Sequence, residues 1–307
     1  MKANVSQPES PVRIAIASGK GGTGKTTVAS NLAVTAASMG IDTTYVDCDV
    51  EEPNGHIFFK PEIVNSSQIG VPRPNVDHQK CIHCGACSAI CRFGGIVSMP
   101  DSVLRFPELC HGCGGCLHAC PSGAIRESLE RTGDLEIGNA GNVRFIHGVL
   151  DVGQVRSSPL IKAVKKHAPP AELQILDAPP GTACPLLETV EGCDLVLLVT
   201  EPTPFGLNDL ELAIQTVRKL NLPFRVLINR ANADSEPAVE QFCQRSSSVI
   251  IGRIPDDRRI AESYSNGEMI CDSLPEYRPV FKAVVERSMS LARLIRGQKV
   301  QPEDTRT

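Results

Sequence analysis

The stretch that decides the fold is Val12-Arg-Ile-Ala-Ile-Ala-Ser-Gly-Lys-Gly-Gly-Thr-Gly-Lys-Thr-Thr27. Its apolar start, Val12–Ala17, is typical of a parallel strand that is covered on both faces. The segment Gly19-Lys-Gly-Gly-Thr-Gly-Lys-Thr26 then matches the pattern G-x4-G-K-[ST] of a phosphate-binding loop. A helix is predicted to follow from about Thr26 to Met39, with Gly40 as its C-terminal stop. A strand, a glycine-rich loop and a helix in this order predict a nucleotide-binding α/β domain.

Strand and helix patterns alternate along most of the remaining chain. Short apolar runs predict buried strands, and apolar residues at helical spacing separate them. This alternation predicts an α/β fold with a doubly wound, mostly parallel sheet. The predicted strands are Thr43–Asp47, Leu173–Asp177, Asp194–Thr200, Phe224–Asn229 and Val249–Ile254, and the predicted helices are Pro159–His167, Leu207–Leu220, Pro237–Arg245, Arg258–Asn266 and Val280–Arg296.

Eight of the thirteen cysteines form two runs that lie between the parts of this nucleotide-binding domain. Each run reads C-x2-C-x2-C-x3-C, the spacing with which one short loop offers thiolates to a [4Fe–4S] cluster. A set of four thiolates also suits Zn²⁺, which is the alternative metal, although this spacing is poor for zinc. The runs are Cys81, Cys84, Cys87 and Cys91, followed by Cys110, Cys113, Cys116 and Cys120.

The two cysteine runs predict a small inserted domain. Between Val71 and Ser128 the apolar strand patterns vanish, Gly, Pro and Cys dominate, and the two halves repeat each other. Such a segment has little core of its own and would be held together by its clusters. We therefore predict a discontinuous ATPase domain over residues 1–70 and 129–297, an insert over 71–128, and a polar tail over 298–307.

Composition excludes several classes of protein. The chain has 31 basic and 35 acidic residues, a net charge of −4, which argues against a general nucleic-acid binder. No stretch approaches the roughly 18 to 20 apolar residues of a membrane span. The polar N-terminus lacks the apolar core of a secretory signal. Clustered cysteines in a chain of this size indicate metal or redox chemistry, so we expect a protein of the reducing cytoplasm.

The glycine-rich loop contains an additional lysine, Lys20. With it, the loop resembles the deviant Walker A motif of the MinD/ParA ATPases, which include the nitrogenase iron protein and Mrp-type cluster carriers. The resemblance implies a homodimer formed with ATP, in which Lys20 reaches the partner's nucleotide; the alternative is a solvated loop charge. Lys25 would neutralise the β and γ phosphates, and Thr26 would bind Mg²⁺. The implied phosphate-binding residues are Gly19, Lys20, Gly21, Gly22, Thr23, Gly24, Lys25, Thr26 and Thr27.

Two further segments resemble the switch regions of that family. Asp47-Cys-Asp-Val-Glu-Glu-Pro-Asn54 is similar to switch I, and Asp177-Ala-Pro-Pro-Gly181 is similar to switch II. The resemblance implies that Asp49 assists Mg²⁺ and the attacking water and that Asn54 faces the phosphates. It also implies that Asp177 contacts the ligands of Mg²⁺ without binding the ion directly. Gly181 would sense the γ-phosphate. The implied catalytic residues are Lys20, Lys25, Asp49, Asn54 and Asp177, and the implied adenine contacts are Asn229, Arg230, Pro255 and Asp256.

The cysteine runs resemble those of bacterial ferredoxins with two clusters. This implies that the fourth cysteine of each run ligates the other cluster. Arg92 stands where a proline normally follows Cys91, which would place a positive charge near cluster two and raise its potential. Cluster one would be bound by Cys81, Cys84, Cys87 and Cys120, and cluster two by Cys110, Cys113, Cys116 and Cys91.

The other five cysteines contain no C-x-x-C pair, the motif with which Mrp-type carriers bind a bridging cluster. The absence of this motif among the five cysteines argues against a carrier role of the Mrp type. Cys184 lies just after switch II, near the position where the nitrogenase iron protein has a ligand of its intersubunit cluster. The alternative interpretation of Cys184 is a small buried apolar residue beside Pro185.

The sequence thus predicts an ATPase in which nucleotide-dependent dimerisation gates electron transfer, or metal or iron–sulfur cluster assembly, on a client protein. Its cofactors would be two [4Fe–4S] clusters and ATP with Mg²⁺. One alternative is a MinD- or ParA-like positioning ATPase whose clusters are structural or redox-sensing. Another is an ATP-dependent small-molecule ligase or reductase.

Overall fold

A computed structural model describes residues 10–299 of the chain, without the side chain of Lys299. Within these residues, nine strands form one central sheet and two short strands pair separately. The strands are β1 (Val12–Ala17), β2 (Thr43–Asp47), β3 (Glu62–Val76), β4 (Ile96–Ser98), β5 (Val103–Arg105), β6 (Ile125–Ala140), β7 (Val143–Leu150), β8 (Leu173–Asp177), β9 (Leu195–Thr200), β10 (Phe224–Ala231) and β11 (Ile250–Pro255).

The helices follow the predicted order, and most of their bounds lie within a few residues of the predicted ones. The helix after the glycine-rich loop begins at Lys25, and the C-terminal helix extends over 22 residues. None of the helices between residues 10 and 299 has both the length and the apolar character that a bilayer crossing requires. The helices are α1 (Lys25–Ser38), α2 (Gly55–Phe59), α3 (Ala86–Ile90), α4 (Gly115–Ala119), α5 (Ser158–His167), α6 (Cys184–Val190), α7 (Pro204–Lys219), α8 (Glu236–Arg245), α9 (Arg258–Ser265), α10 (Ile270–Ser273), a 3₁₀ turn (Pro275–Tyr277) and α11 (Arg278–Lys299).

The order of strands in the large sheet is β11-β10-β9-β1-β8-β2-β7-β6-β3. The seven strands from β11 to β7 are parallel, and β6 and β3 add an antiparallel edge. This confirms the predicted α/β fold with a mostly parallel sheet. The carboxyl ends of the parallel strands meet at one edge, so the loops after β1, β2, β8, β9 and β10 lie side by side there.

Helices cover both faces of the sheet, which explains why its central strands are apolar on both sides. On one face, α1 and α11 pack on residues such as Ile14, Ile16 and Phe145. On the other face, α5, α6, α7 and α8 pack on residues such as Ala15 and Val46. Each face therefore has its own buried core, as expected of a doubly wound domain.

A long antiparallel ribbon, β3 paired with β6, was not predicted, and neither was β7. The ribbon continues past Val71 to the pair Val76 and Ile125, so strands extend into the segment where strand patterns vanish. Its first seven residues, Glu62–Gln68, are all exposed, and therefore lack the alternation of apolar and polar residues that marks a half-buried strand. The boundaries of the predicted insert at residues 71 and 128 stay a prediction.

The cysteine runs lie in the segment that connects the end of β3 with the start of β6. The two halves of this segment have equivalent backbones, and equivalent residues are 29 positions apart. Gly85 and Gly114 each precede a short helix, α3 or α4, with φ of 75° and 70°. His83 and Gly112, also equivalent, both have positive φ, at 52° and 64°. A side chain at residue 112 would lie 2.9 Å from the carbonyl oxygen of Pro72, so only the second half requires glycine there.

Candidate functional site

The glycine-rich loop lies at the carboxyl end of β1, directly before α1. Gly22 and Gly24 adopt φ of 77° and 87°, which turns the loop toward the N-terminus of the helix. The Asn229 amide donates to the carbonyl oxygen of Thr23 at 2.8 Å, and a side chain at residue 24 would lie 2.3 Å from that amide nitrogen. The loop is therefore braced by β10 in a conformation whose N–H groups suit phosphate oxygens.

Lys25, Asp49 and Asp177 form a charged group at this loop. Lys25 is only 7% exposed, and burial lowers its pKa while Asp177 and Asp49 oppose that shift. Burial, with a further contribution from Asp177, raises the pKa of Asp49 to about 6, while Lys25 lowers it. Because these charges share a desolvated space, an anionic phosphate and a divalent cation would both find complementary charge there.

Asp177 is positioned by a buried hydroxyl group. The Tyr45 hydroxyl donates to Asp177 Oδ2 at 2.8 Å. Burial raises the pKa of Asp177, while Thr26, Lys25 and Tyr45 oppose that shift. Asp177 Oδ1 is buried and has no hydrogen-bond partner among residues 10–299. Mg²⁺ takes oxygen ligands, and Thr26, Asp49 and the unpaired carboxylate oxygen fit such an ion and its bound water. Tyr45 was not predicted; a single polar-tipped aromatic residue in a buried strand was its only signal.

Switch I is anchored by Asp47, the buried residue that ends β2. Its Oδ1 accepts from the Asp49 N–H at 3.1 Å, and its Oδ2 accepts from the Gly55 N–H at 3.0 Å. A side chain at residue 55 would lie 2.5 Å from the Tyr45 ring, so glycine permits this close approach. The two ends of the segment are thus tied to one carboxylate, which brings Asp49 to Lys25.

Glu201, which the sequence analysis missed, binds the additional lysine of the loop. Lys20 Nζ lies 2.5 Å from Glu201 Oε1, and Arg230 Nη1 lies 3.1 Å from Glu201 Oε2. Lys20, whose side chain is 33% exposed, is therefore paired within its own chain, and its role toward a partner's nucleotide stays a prediction. The available signal was position, because Glu201 directly follows the apolar strand β9 beside β1.

The remaining predicted nucleotide contacts follow or end strands at the same edge of the sheet. Gly181, with φ of 88°, leaves open space around its Cα. Asn54 precedes α2 without capping it through its side chain. Pro255 pairs with Ala231, and the exposed Asp256 donates its N–H to the Ala231 carbonyl, so both lie beside the end of β10 rather than against the loop. The roles of these four residues stay predictions.

Each of two cavities in the insert is lined by four cysteines from both runs. The sets match the cross-ligation implied by the ferredoxin resemblance. The larger cavity, of about 180 Å³, also contacts Arg92 and Glu127. Cys91, Cys110, Cys113 and Cys116 line the larger cavity, and Cys81, Cys84, Cys87 and Cys120 line the smaller one, of about 20 Å³.

Equivalent cysteines of the two runs have equivalent surroundings. Burial raises the pKa of both Cys87 and Cys116. Burial also acts on Cys91 and Cys120, but hydrogen bonds outweigh it and lower the pKa of both thiols. At Cys91 these bonds come from the N–H groups that follow it, and at Cys120 from the Ser122 hydroxyl as well as from such N–H groups. Amides directed at a sulfur stabilise its thiolate, which is the form that binds metal.

The chemistry of the two sets of cysteines fits a metal centre. Four thiolates are the donors that a [4Fe–4S] cluster takes, and they also suit Zn²⁺. Over residues 10–299, no three histidine, cysteine or carboxylate side chains are grouped closely enough to hold one metal ion. The kind of metal centre therefore stays a prediction.

Cys184, at the first residue of α6, is exposed. The interpretation of this cysteine as a small buried apolar residue is therefore wrong. The other four cysteines outside the runs, Cys48, Cys193, Cys243 and Cys271, are buried. The turn between switch II and α6 holds Cys184 at the surface, where apolar packing cannot account for it.

Comparison with known proteins identifies the family. Residues 14–270 match the model of the CobQ/CobB/MinD/ParA nucleotide binding domain. The chain belongs to this family. The matched range includes the glycine-rich loop and the segments similar to switch I and switch II, and it does not test the cysteine runs that lie within it.

Relatives and a solved structure agree with the family assignment. An uncharacterized protein of Methanocaldococcus jannaschii is 31% identical over 278 residues, which cover 90% of this chain and 96% of the relative. An iron-sulfur cluster carrier protein of Pyrococcus horikoshii is 25% identical over 305 residues, covering 94% and 88%. The septum site-determining protein MinD of Pyrococcus horikoshii, solved with Mg-ADP, has a TM-score of 0.57 and 20% identity over 93% of this chain and 98% of its own. The P-loop ATPase fold of the family is thus that of this chain.

Proposed function

We propose that this protein is an ATP-hydrolysing iron–sulfur protein in which nucleotide-dependent dimerisation gates electron transfer, or cluster assembly, on a client protein. The observation that carries the proposal is the pair of cysteine-lined cavities on a ribbon that begins just after switch I. Relatives named iron-sulfur cluster carriers support an iron–sulfur role.

At the nucleotide site, the chain supplies positioning and charge, which are the main requirements of phosphoryl transfer. The loop amides and Lys25 would bind the phosphates, and Thr26 and Asp49 would hold Mg²⁺. Asp177, which accepts a hydrogen bond from Tyr45, would orient a water bound to that ion. Asp49, tied to Asp47, is placed to orient the attacking water.

In the insert, each set of four cysteines would hold one [4Fe–4S] cluster, which supplies one-electron redox chemistry. Gly85 and Gly114 let the backbone wrap closely around each cavity. The amides after Cys91 and Cys120 favour their thiolate forms. Backbone N–H groups therefore stabilise a thiolate ligand at each of the two sites.

Dimerisation would require Lys20 to change partners. In the single chain, Glu201 holds Lys20 beside the loop. In the proposed dimer, Lys20 would leave Glu201 and contact the partner's nucleotide. ATP can shift this equilibrium only because it adds contacts in one of the two states.

The first test is composition and activity. Protein purified without oxygen should contain about eight iron atoms per chain and hydrolyse ATP. Cys84→Ala and Cys113→Ala should each remove about half of the iron, while Cys243→Ala, at a buried cysteine outside the cavities, should remove none. Zinc in place of iron would overturn the proposal.

The second test is client capture, in which Asp49→Ala traps the ATP-bound state. An anaerobic pull-down with this variant and ATP should recover a redox or metallocluster protein, and Lys25→Ala should not. ATP-dependent sedimentation with DNA or liposomes would instead support the alternative of a positioning ATPase. Equal client binding by both variants would contradict nucleotide gating.

A further inference from the structure

The loop between β7 and α5, residues 151–157, connects switch I with the insert. β7 lies beside β2, and the Leu150 N–H donates to the carbonyl oxygen of Val50 at 2.9 Å. Val50 directly follows Asp49. The last residue of β7 is therefore hydrogen-bonded to the segment that would respond to the γ-phosphate.

At its other end, this loop holds the backbone of a cysteine at the larger cavity. Arg156 Nη1 donates to the carbonyl oxygen of Cys110 at 3.0 Å, and Arg156 Nη2 donates to His111 Nδ1 at 3.1 Å. Arginine has no acceptor, so this His111 nitrogen is the acceptor. The His111 ring stacks on Phe93, with centroids 3.6 Å apart, and Phe93 lines the same cavity.

A second arginine contacts the same carbonyl oxygen from the ribbon. Arg73 is 6% exposed and donates to Cys110 through Nη1. The equivalent residue of the first run, Cys81, has no arginine at its carbonyl oxygen in the described part of the chain. Two guanidinium groups are therefore among the differences between the two halves of the insert.

The loop has room to move. A polar cavity of about 140 Å³ lies between it and the insert, lined by Arg73, Glu108, Glu130, Arg131 and residues 153–156. Close-packed interiors resist displacement, whereas a cavity permits it. The start of the loop is tied to β6, because Arg131 Nε binds Asp151 at 2.9 Å and Gln154 Nε2 donates to the Arg131 carbonyl oxygen at 3.1 Å. A shift at Leu150 would therefore move the start of the loop together with β6 and change the position of Arg156.

We propose that Arg156 is a positioning residue that transmits the state of switch I to the cluster site of Cys91, Cys110, Cys113 and Cys116. The inference rests on the function proposed above. A guanidinium beside a ligand favours the more negative, reduced cluster and raises its potential. Movement of Arg156 with the nucleotide changes this effect at cluster two and leaves cluster one unaffected.

The test is potentiometry of the holoprotein followed by electron paramagnetic resonance, without nucleotide and with Mg-ATP. Wild type should show a nucleotide-dependent shift of one cluster potential. Arg156→Gln should lower that potential and lose the shift. Arg92 lines the same cavity but lies outside the loop of residues 151–157. Arg92→Gln should therefore lower the potential of cluster two and retain its nucleotide-dependent shift.

Arg156→Lys keeps the charge but cannot contact both the Cys110 carbonyl oxygen and His111. The potential of cluster two should therefore stay near that of wild type, while its nucleotide-dependent shift is lost. Iron content identifies any variant that has lost a cluster, and Arg156→Lys then carries the test. A full shift in both Arg156 variants would overturn the inference and leave the proposed function intact. Absence of any shift in wild type would overturn both.

Discussion

The ATPase body and the cysteine-rich insert are stabilised by different interactions. Among residues 10–299, the body has two packed groups of 30 and 25 buried apolar residues, one on each face of the sheet. The insert has one packed group of five, which includes Cys87 and contacts other cysteines of the runs. The body can therefore hold its nucleotide site by packing, whereas in the function proposed above the insert would depend on the clusters that its cysteines bind.

Removal of iron is expected to have the largest effect, and only on one region. Five buried residues cannot offset a conformational entropy of about 1–2 kcal/mol per ordered residue over the insert. Anaerobic chelation should make residues 77–124 sensitive to protease while the body keeps its cooperative thermal transition. If the insert were equally resistant to protease before and after chelation, its stability would not depend on iron, and the contrast with the body would be wrong.

Lys25→Ala should disable the body and spare the insert. Loss of the buried cation at the phosphates should lower ATP hydrolysis on the order of 10²- to 10³-fold. Iron content should not change. Lys219→Ala, at an exposed lysine of α7, serves as the control and should keep wild-type activity. Loss of iron together with activity would show that the two regions do not fold independently.

Glu201→Gln should change the ATP concentration that dimerisation requires, although Glu201 is not among the predicted phosphate contacts. It removes the partner that holds Lys20 in the single chain, an interaction worth at most about 1 kcal/mol at this partial exposure. Half-maximal dimerisation by sedimentation should then need roughly two- to fivefold less ATP. Glu211→Gln, at an exposed residue, should leave the curve unchanged, whereas weaker dimerisation in Glu201→Gln would mean that Glu201 supports the dimer.

Thiol labelling should give the smallest effect and separate the two kinds of cysteine. Outside the runs, Cys184 is exposed, whereas burial raises the pKa of Cys193 to about 12 and that of Cys243 to about 11. Each unit by which the pKa of a thiol is raised lowers its thiolate fraction near pH 8 about tenfold. Mass spectrometry of the alkylated holoprotein should find one modified site outside the insert, lost in Cys184→Ser. Rapid labelling of Cys193 would refute the packing described for the body.

Much of the body could be predicted because its signals are local. The run Val12–Ala17, the glycine-rich loop and Leu173–Asp177 are apolar or motif-bearing stretches, and each lies where expected. The ribbon could not be predicted, because Glu62–Gln68 is exposed and pairs with residues far along the chain. Tertiary pairing, rather than residue pattern, makes it a strand.

The same distinction holds at the candidate sites. Spacing identifies the eight cysteines of the runs, because one loop must supply several thiolates. No spacing identifies Arg156 or Glu201, which reach their partners only through the fold, across 46 residues to Cys110 and across 181 residues to Lys20. Residues that connect two regions carry no local signal.

The most direct test of nucleotide gating is the potential of the clusters in wild type and in Lys25→Ala, each with and without Mg-ATP. We predict that ATP shifts a cluster potential in wild type and has no effect in Lys25→Ala. The same potentials in all four samples would contradict the account, because they would show that the nucleotide site and the insert act independently.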